Sequence, residues 1–185
     1  MELKSVKLLF VAALAAMVMP LTLEPAVAAG PVKVAFVDTG NTGRSVSAEA
    51  LAIAMIAEKK LPIVVISRAV DLNPYNIVPE PFAAQLLLEK KGIDVSAHRA
   101  AALTAGDIRH SDLVFTMTTK HKATILEQFP EARGKTFTLS EYATGTDHDV
   151  VDAYNQPMTV YQQVFAEISG YLPAVLDKAA TTTAK

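Results

Sequence analysis

The segment Asp38-Thr39-Gly40-Asn41-Thr42-Gly43-Arg44-Ser45 joins a β-rich run, Lys33 to Val37, to an apolar-periodic stretch that runs from Ser47 to about Lys59. In a strand-to-helix turn of this kind successive backbone N–H groups can point inward, and the helix N-terminus adds its positive end. Together they make a cradle for an anion, lined by Thr39, Gly40, Asn41, Thr42, Gly43 and Ser45. Arg44 is placed to fork two donors onto a phosphate-like oxyanion. Taken alone, the same spacing also fits a tight connection that carries a surface arginine. Farther along, Tyr154 could stack on an aromatic ligand or pack against its own loop. His98, His110, His121 and His148 have no spacing that sets two ligands on one helix face, so no metal site is expected.

The elements around the loop follow from periodicity and punctuation. Leu61 to Ser67 contains the fully apolar Ile63-Val64-Val65-Ile66, the pattern of a strand covered on both faces. Prolines at 74, 79 and 81 break the next stretch into a loop, and Phe82 to Lys91 then reads as a helix closed by Gly92. Thr104-Ala105-Gly106-Asp107 has the form of a capping box opening a short helix to His110. Asp112 to Met117 is a third strand, Lys120 to Gln128 a helix, Lys135 to Leu139 a fourth strand and Asp147 to Pro157 a polar loop. A last helix sets Val160, Val164, Ile168, Tyr171, Leu172 and Val175 on one stripe. Strands alternating with helices predict an α/β fold: a four-stranded parallel sheet with helices on both faces, joined by right-handed crossovers. Ligands of such sheets bind beyond the carboxyl ends of the strands, which is where the 38–45 loop lies.

Gly40-Asn41, Arg44-Ser45 and Ala48-Glu49 match the loop of the low-molecular-weight protein tyrosine phosphatases. Lys91 to Ala100, Leu103-Thr104 and Asp112 to Thr118 are similar to the middle of that family. The resemblance covers nearly all of the chain after its first segment. It implies a phosphate loop between the first strand and first helix, with Arg44 stabilising the equatorial oxygens of a phosphoryl group. It also implies a general acid at Asp152, from the match of Asp152-Ala153-Tyr154 to the family's Asp-Pro-aromatic motif. The proline is absent here, which leaves that loop less rigid and makes Asp149 a competitor. Thr39 and Thr42 stand where larger side chains often line the pocket, so a shallower rim is expected.

The departure is at the nucleophile: Asp38 stands where the family keeps its cysteine, and Gly43 where many members carry a second one. There is no cysteine anywhere in the chain, which excludes thiolate phosphatase chemistry, thiol-based arsenate reduction and disulfides. An ionised Asp38 about 4 Å from a phosphate charge would cost about 4 kcal/mol per unit-charge pair at an effective dielectric near 20. Pairing of Asp38 with Arg44 is the expected resting state, and Ser45 is expected either to cap a helix starting at Ser47 or to bond Asp38. The implied function is a pseudophosphatase that binds a phosphate-like anion or a phosphorylated partner. The alternatives are a hydrolase that uses Asp38 as nucleophile and a structural interaction module. No cofactor is expected, with Mg²⁺ required only if Asp38 attacks phosphorus.

Residues 1–28 read as a signal peptide. Lys4 and Lys7 supply the positive start, Leu8 to Met19 the apolar run and Ala26-Val27-Ala28 the cleavage site. The run ends at Pro20, short of the roughly 20 residues needed to span a bilayer. Export to the periplasm or the medium is therefore expected, followed by one domain at 29–180 and a frayed tail at 181–185. A net charge of -2 without a basic run gives no reason to expect nucleic acid or an anionic membrane as partner.

Overall fold

A computed structural model describes residues 30–182. The expected signal peptide and most of the expected tail lie outside the described residues. Strand β1 (Val32–Asp38) is followed by α1 (Arg44–Lys59), β2 (Ile63–Ala69), α2 (Pro81–Lys91) and α3 (Ala105–His110). Then come β3 (Leu113–Thr116), α4 (Thr119–Gln128), a 3-10 turn at Pro130–Ala132, β4 (Thr136–Thr138), α5 (Leu139–Thr144) and α6 (Met158–Ala180). The four strands form one parallel sheet in the order β2-β1-β3-β4.

Side chains of β1 alternate between two cores, as the pleat requires. Val32, Val34 and Phe36 enter the larger one, with Leu51 of α1, Leu87 of α2 and Ile168, Leu172 and Leu176 of α6. Ala35 and Val37 enter the smaller one on the opposite face, with Ile108 of α3 and Ile125 of α4. Helices thus cover both faces, as the sequence predicts. Because β1 is central and buried on both sides, the turn that leaves its carboxyl end is anchored from below.

Two expectations about the elements are corrected. The run at Ile63–Ile66 is an edge strand, and Val64 is 48 % exposed. A continuous apolar run in the sequence cannot by itself distinguish an inner strand from an edge one. The helix after the loop begins at Arg44, three residues before the expected Ser47, with Gly43 as its N-cap and no side-chain cap. The capping box at Thr104 and Asp107 is formed as expected. A second one, between Thr138 and Glu141, opens α5, a helix that the strand pattern at Lys135 to Leu139 obscures.

Candidate functional site

Asp38 is the last residue of β1, 3 % exposed, and its carboxylate turns into the loop that follows. Oδ1 accepts the N–H of Asn41 at 2.6 Å and Oδ2 accepts the N–H of Ser45 at 2.9 Å. A charged acceptor makes such bonds stronger than neutral ones. The expected pairing of Asp38 with Arg44 does not form. Buried beneath the loop, the carboxylate meets the backbone donors first, while the guanidinium is engaged by Val150 and Asp152. Of the two roles expected for Ser45, capping is not observed. Its N–H bonds Asp38 and its hydroxyl accepts from Asn41 Nδ2 at 3.0 Å.

Asn41 fixes the loop's shape. It adopts φ +56°, a left-handed conformation that asparagine tolerates better than most residues. Its side chain is fully used: Nδ2 also donates to Ser67 Oγ at 2.8 Å, and Oδ1 accepts the Ala101 N–H at 3.0 Å. Ser67 in turn donates to Glu49 at 2.5 Å. The N–H groups of Gly40, Thr42 and Gly43 remain without an acceptor among the described residues. Those three amides belong to the free part of the cradle.

Arg44, 7 % exposed, sends Nη1 to the carbonyl of Val150 at 3.0 Å and Nη2 to Asp152 Oδ2 at 2.8 Å. Asp152 therefore stands at the loop despite lacking the following proline. Its other oxygen accepts the N–H of Tyr154 at 3.1 Å, a local turn, while Val150 and Ala153 are buried in the core on either side. Burial does here what a ring-locked φ does elsewhere. Asp149 is no competitor, since it accepts from Thr119 N at 2.7 Å and Thr119 Oγ1 at 3.3 Å. Tyr154 is half exposed and lines the cleft.

That cleft has a volume of about 280 Å³ above the loop. Its walls carry four carboxylates, Asp38, Asp71, Glu80 and Asp152, against one cation, Arg44. Among the described residues no group of three histidine or acidic side chains could hold a metal ion.

Two partners of the loop have no short-range signal in the sequence. Glu80, between Pro79 and Pro81, accepts from Thr42 Oγ1 at 3.1 Å and from the Tyr161 hydroxyl at 2.5 Å, across 38 and 81 positions of chain. Burial raises its pKa above the ordinary carboxylate value, partly offset by those two hydrogen bonds, and Asp152 and Asp38 push it further up. The Tyr161 hydroxyl is raised in turn by burial and by Glu80. His121, 6 % exposed, lies 2.9 Å through Nε2 from Thr39 Oγ1, 82 positions away. Burial lowers its pKa, and Arg44 lowers it further against the pull of Asp38, Asp152 and Asp149.

A family profile described as low molecular weight phosphotyrosine protein phosphatase matches residues 33–184. The chain belongs to that family. Among relatives of this phosphatase-family chain, the protein-arginine-phosphatase of Geobacillus stearothermophilus is 35 % identical over 151 residues, covering 82 % of this chain and 98 % of the relative. The protein-arginine-phosphatase of Bacillus subtilis is 39 % identical over 137 residues, covering 74 % and 89 %. A solved structure of a YwlE arginine phosphatase mutant, with a phosphorylated active-site serine, superimposes with a TM-score of 0.75 at 35 % identity. It covers 80 % of this chain and 95 % of that one. The four-stranded parallel architecture is thus the family's own.

Proposed function

We propose that this phosphatase-family chain is an exported pseudophosphatase that holds a phosphate-like anion or a phosphorylated partner without thiolate turnover. The observation that carries this reading is the engagement of both Asp38 oxygens by loop N–H groups. Each oxygen accepts one loop N–H, which holds the carboxylate in place as a built-in acceptor and lowers its reactivity toward phosphorus. The amides of Gly40, Thr42 and Gly43, with Arg44 once it turns from Asp152, are the groups available to a ligand.

The charge of the cleft narrows the ligand. Four carboxylates around one guanidinium disfavour a bare phosphate dianion and favour a phosphoryl group that carries a positive charge beside it. Phosphoarginine has that form, and two relatives are named protein-arginine-phosphatases. Phosphoarginine peptides are therefore the first ligands to test.

A second reading makes Asp38 an active nucleophile. It is favoured by the YwlE mutant, in which an oxygen nucleophile at the active site carries a phosphoryl group. Both readings meet one assay, hydrolysis of an aryl phosphate and of phosphoarginine with and without Mg²⁺, alongside Asp38→Asn and Asp38→Cys under reducing conditions. The pseudophosphatase reading expects no catalytic turnover in wild type, with phosphoarginine bound. Wild-type turnover that vanishes in Asp38→Asn establishes the aspartyl path and removes our reading. Export is tested separately by the N-terminal residue of the protein recovered from the producing cells, expected near Ala29; recovery in the cytoplasm with Met1 retained rejects it.

A further inference from the structure

We propose that Thr39, with His121 as its base, is a phosphoryl-accepting pair at the rim of the cleft. The inference rests on the anion-cradle reading above. Thr39 is exposed and lines the cleft beside Arg44, whereas the imidazole that meets its hydroxyl is buried beneath it. The 2.9 Å separation of Thr39 Oγ1 and His121 Nε2 is the reach required of a hydroxyl nucleophile and its general base.

Two features favour this hydroxyl over the carboxylate next to it. Asp38 already fills the floor of the loop and accepts its two nearest N–H groups, so an incoming phosphoryl group rides higher, toward the rim where Thr39 stands. With the ring proton on Nδ1, the neutral imidazole offers its Nε2 lone pair to Thr39, and burial and Arg44 lower the His121 pKa, which favours the neutral form. The charged groups facing it are Arg44, Asp38, Asp152 and Asp149. A further feature limits the rate: His121 Nδ1 is buried without a partner, so no third group orients the ring or steadies the imidazolium. The pair is a slow acceptor suited to a donor with a good leaving group.

A phosphoramidate is such a donor. Thr39 Oγ1 forms the new P–O bond as the P–N bond breaks, the hydroxyl proton passes to His121 Nε2, and the nitrogen, already protonated on the donor, leaves as the neutral amine. His121 then returns its proton to solvent. No oxidant or reductant takes part. The product is an acid-stable phosphothreonine, with no second step required.

The test incubates the protein with phosphoramidate and locates the label by peptide mass spectrometry, with binding of a phosphoarginine peptide measured on the same preparation. One phosphoryl group per chain is expected on Thr39, absent in Thr39→Val and retained in Thr39→Ser. His121→Gln is expected to slow labelling by about a hundredfold, the ordinary worth of a general base. Because the neutral imidazole is the active form and its pKa is lowered, the wild-type rate should hold as pH falls through 6.5 and drop only in stronger acid. A hydroxylamine-sensitive label on Asp38 overturns the inference, and so does absence of label. Failure to bind the phosphoarginine peptide overturns the cradle reading instead, so the two fail separately.

Discussion

Gly43 faces Glu80 so closely that a β-carbon added there would stand 2.7 Å from Glu80 Oε1 and 2.9 Å from its Cδ. The Glu80 carboxylate cannot simply swing away, since Thr42 and Tyr161 both hold it. Gly43→Ala should therefore cost about 1–3 kcal/mol, as overpacking does. Most of that cost should disappear in the Glu80→Ala background. Urea denaturation of the four proteins in this cycle measures the coupling, and additive effects would show that the loop yields on its own. The same contact bears on restoring a second thiol at position 43, which needs a change at Glu80 as well. At this scale the sequence was legible where partners are near in the chain, as from Asp38 to Ser45. It was silent on Glu80, His121 and Tyr161, whose roles arise only when distant segments meet. The expected Asp38–Arg44 pair failed for a related reason: residue types gave the charges but not the direction in which a buried carboxylate finds its donors.

Elements carry their own punctuation. Thr104 with Asp107 announces α3 in the sequence, and Thr138 with Glu141 announces α5 just as clearly once the overlap with β4 is set aside. Thr138 ends the strand and caps the helix at one position, so its periodic reading and its capping reading compete. Its hydroxyl accepts from Glu141 N at 3.1 Å and donates to Asp147 at 2.5 Å. Thr138→Ala should lower stability by about 1–2 kcal/mol, the upper part of the capping range, because both contacts go together. Thermal unfolding of the variant beside Thr104→Ala checks this; equal small losses would mean that the Asp147 contact contributes nothing. The Asp152 loop teaches a complementary lesson. Its missing proline suggested looseness, yet Val150 and Ala153 bury themselves and leave Asp152 facing Arg44. Placement supplied by burial has no local sequence motif.

Across the whole molecule, alternation of strands and helices was enough to foresee a parallel sheet with both faces covered, because β1 alone feeds two cores. Which strand lies at the edge was not foreseeable, since β2 is as apolar along the chain as an inner strand. Among the described residues no helix is long and apolar enough to cross a membrane. The inward-turned carboxylate of Asp38 has one more consequence. A loop that carries its own covalently tethered carboxylate keeps two of its donors occupied at a local concentration that is fixed by the chain and does not fall on dilution, so a visitor grips only the donors that remain. Affinity for a small anion is lowered accordingly, and a ligand that also grips the walls of the cleft recovers part of that loss.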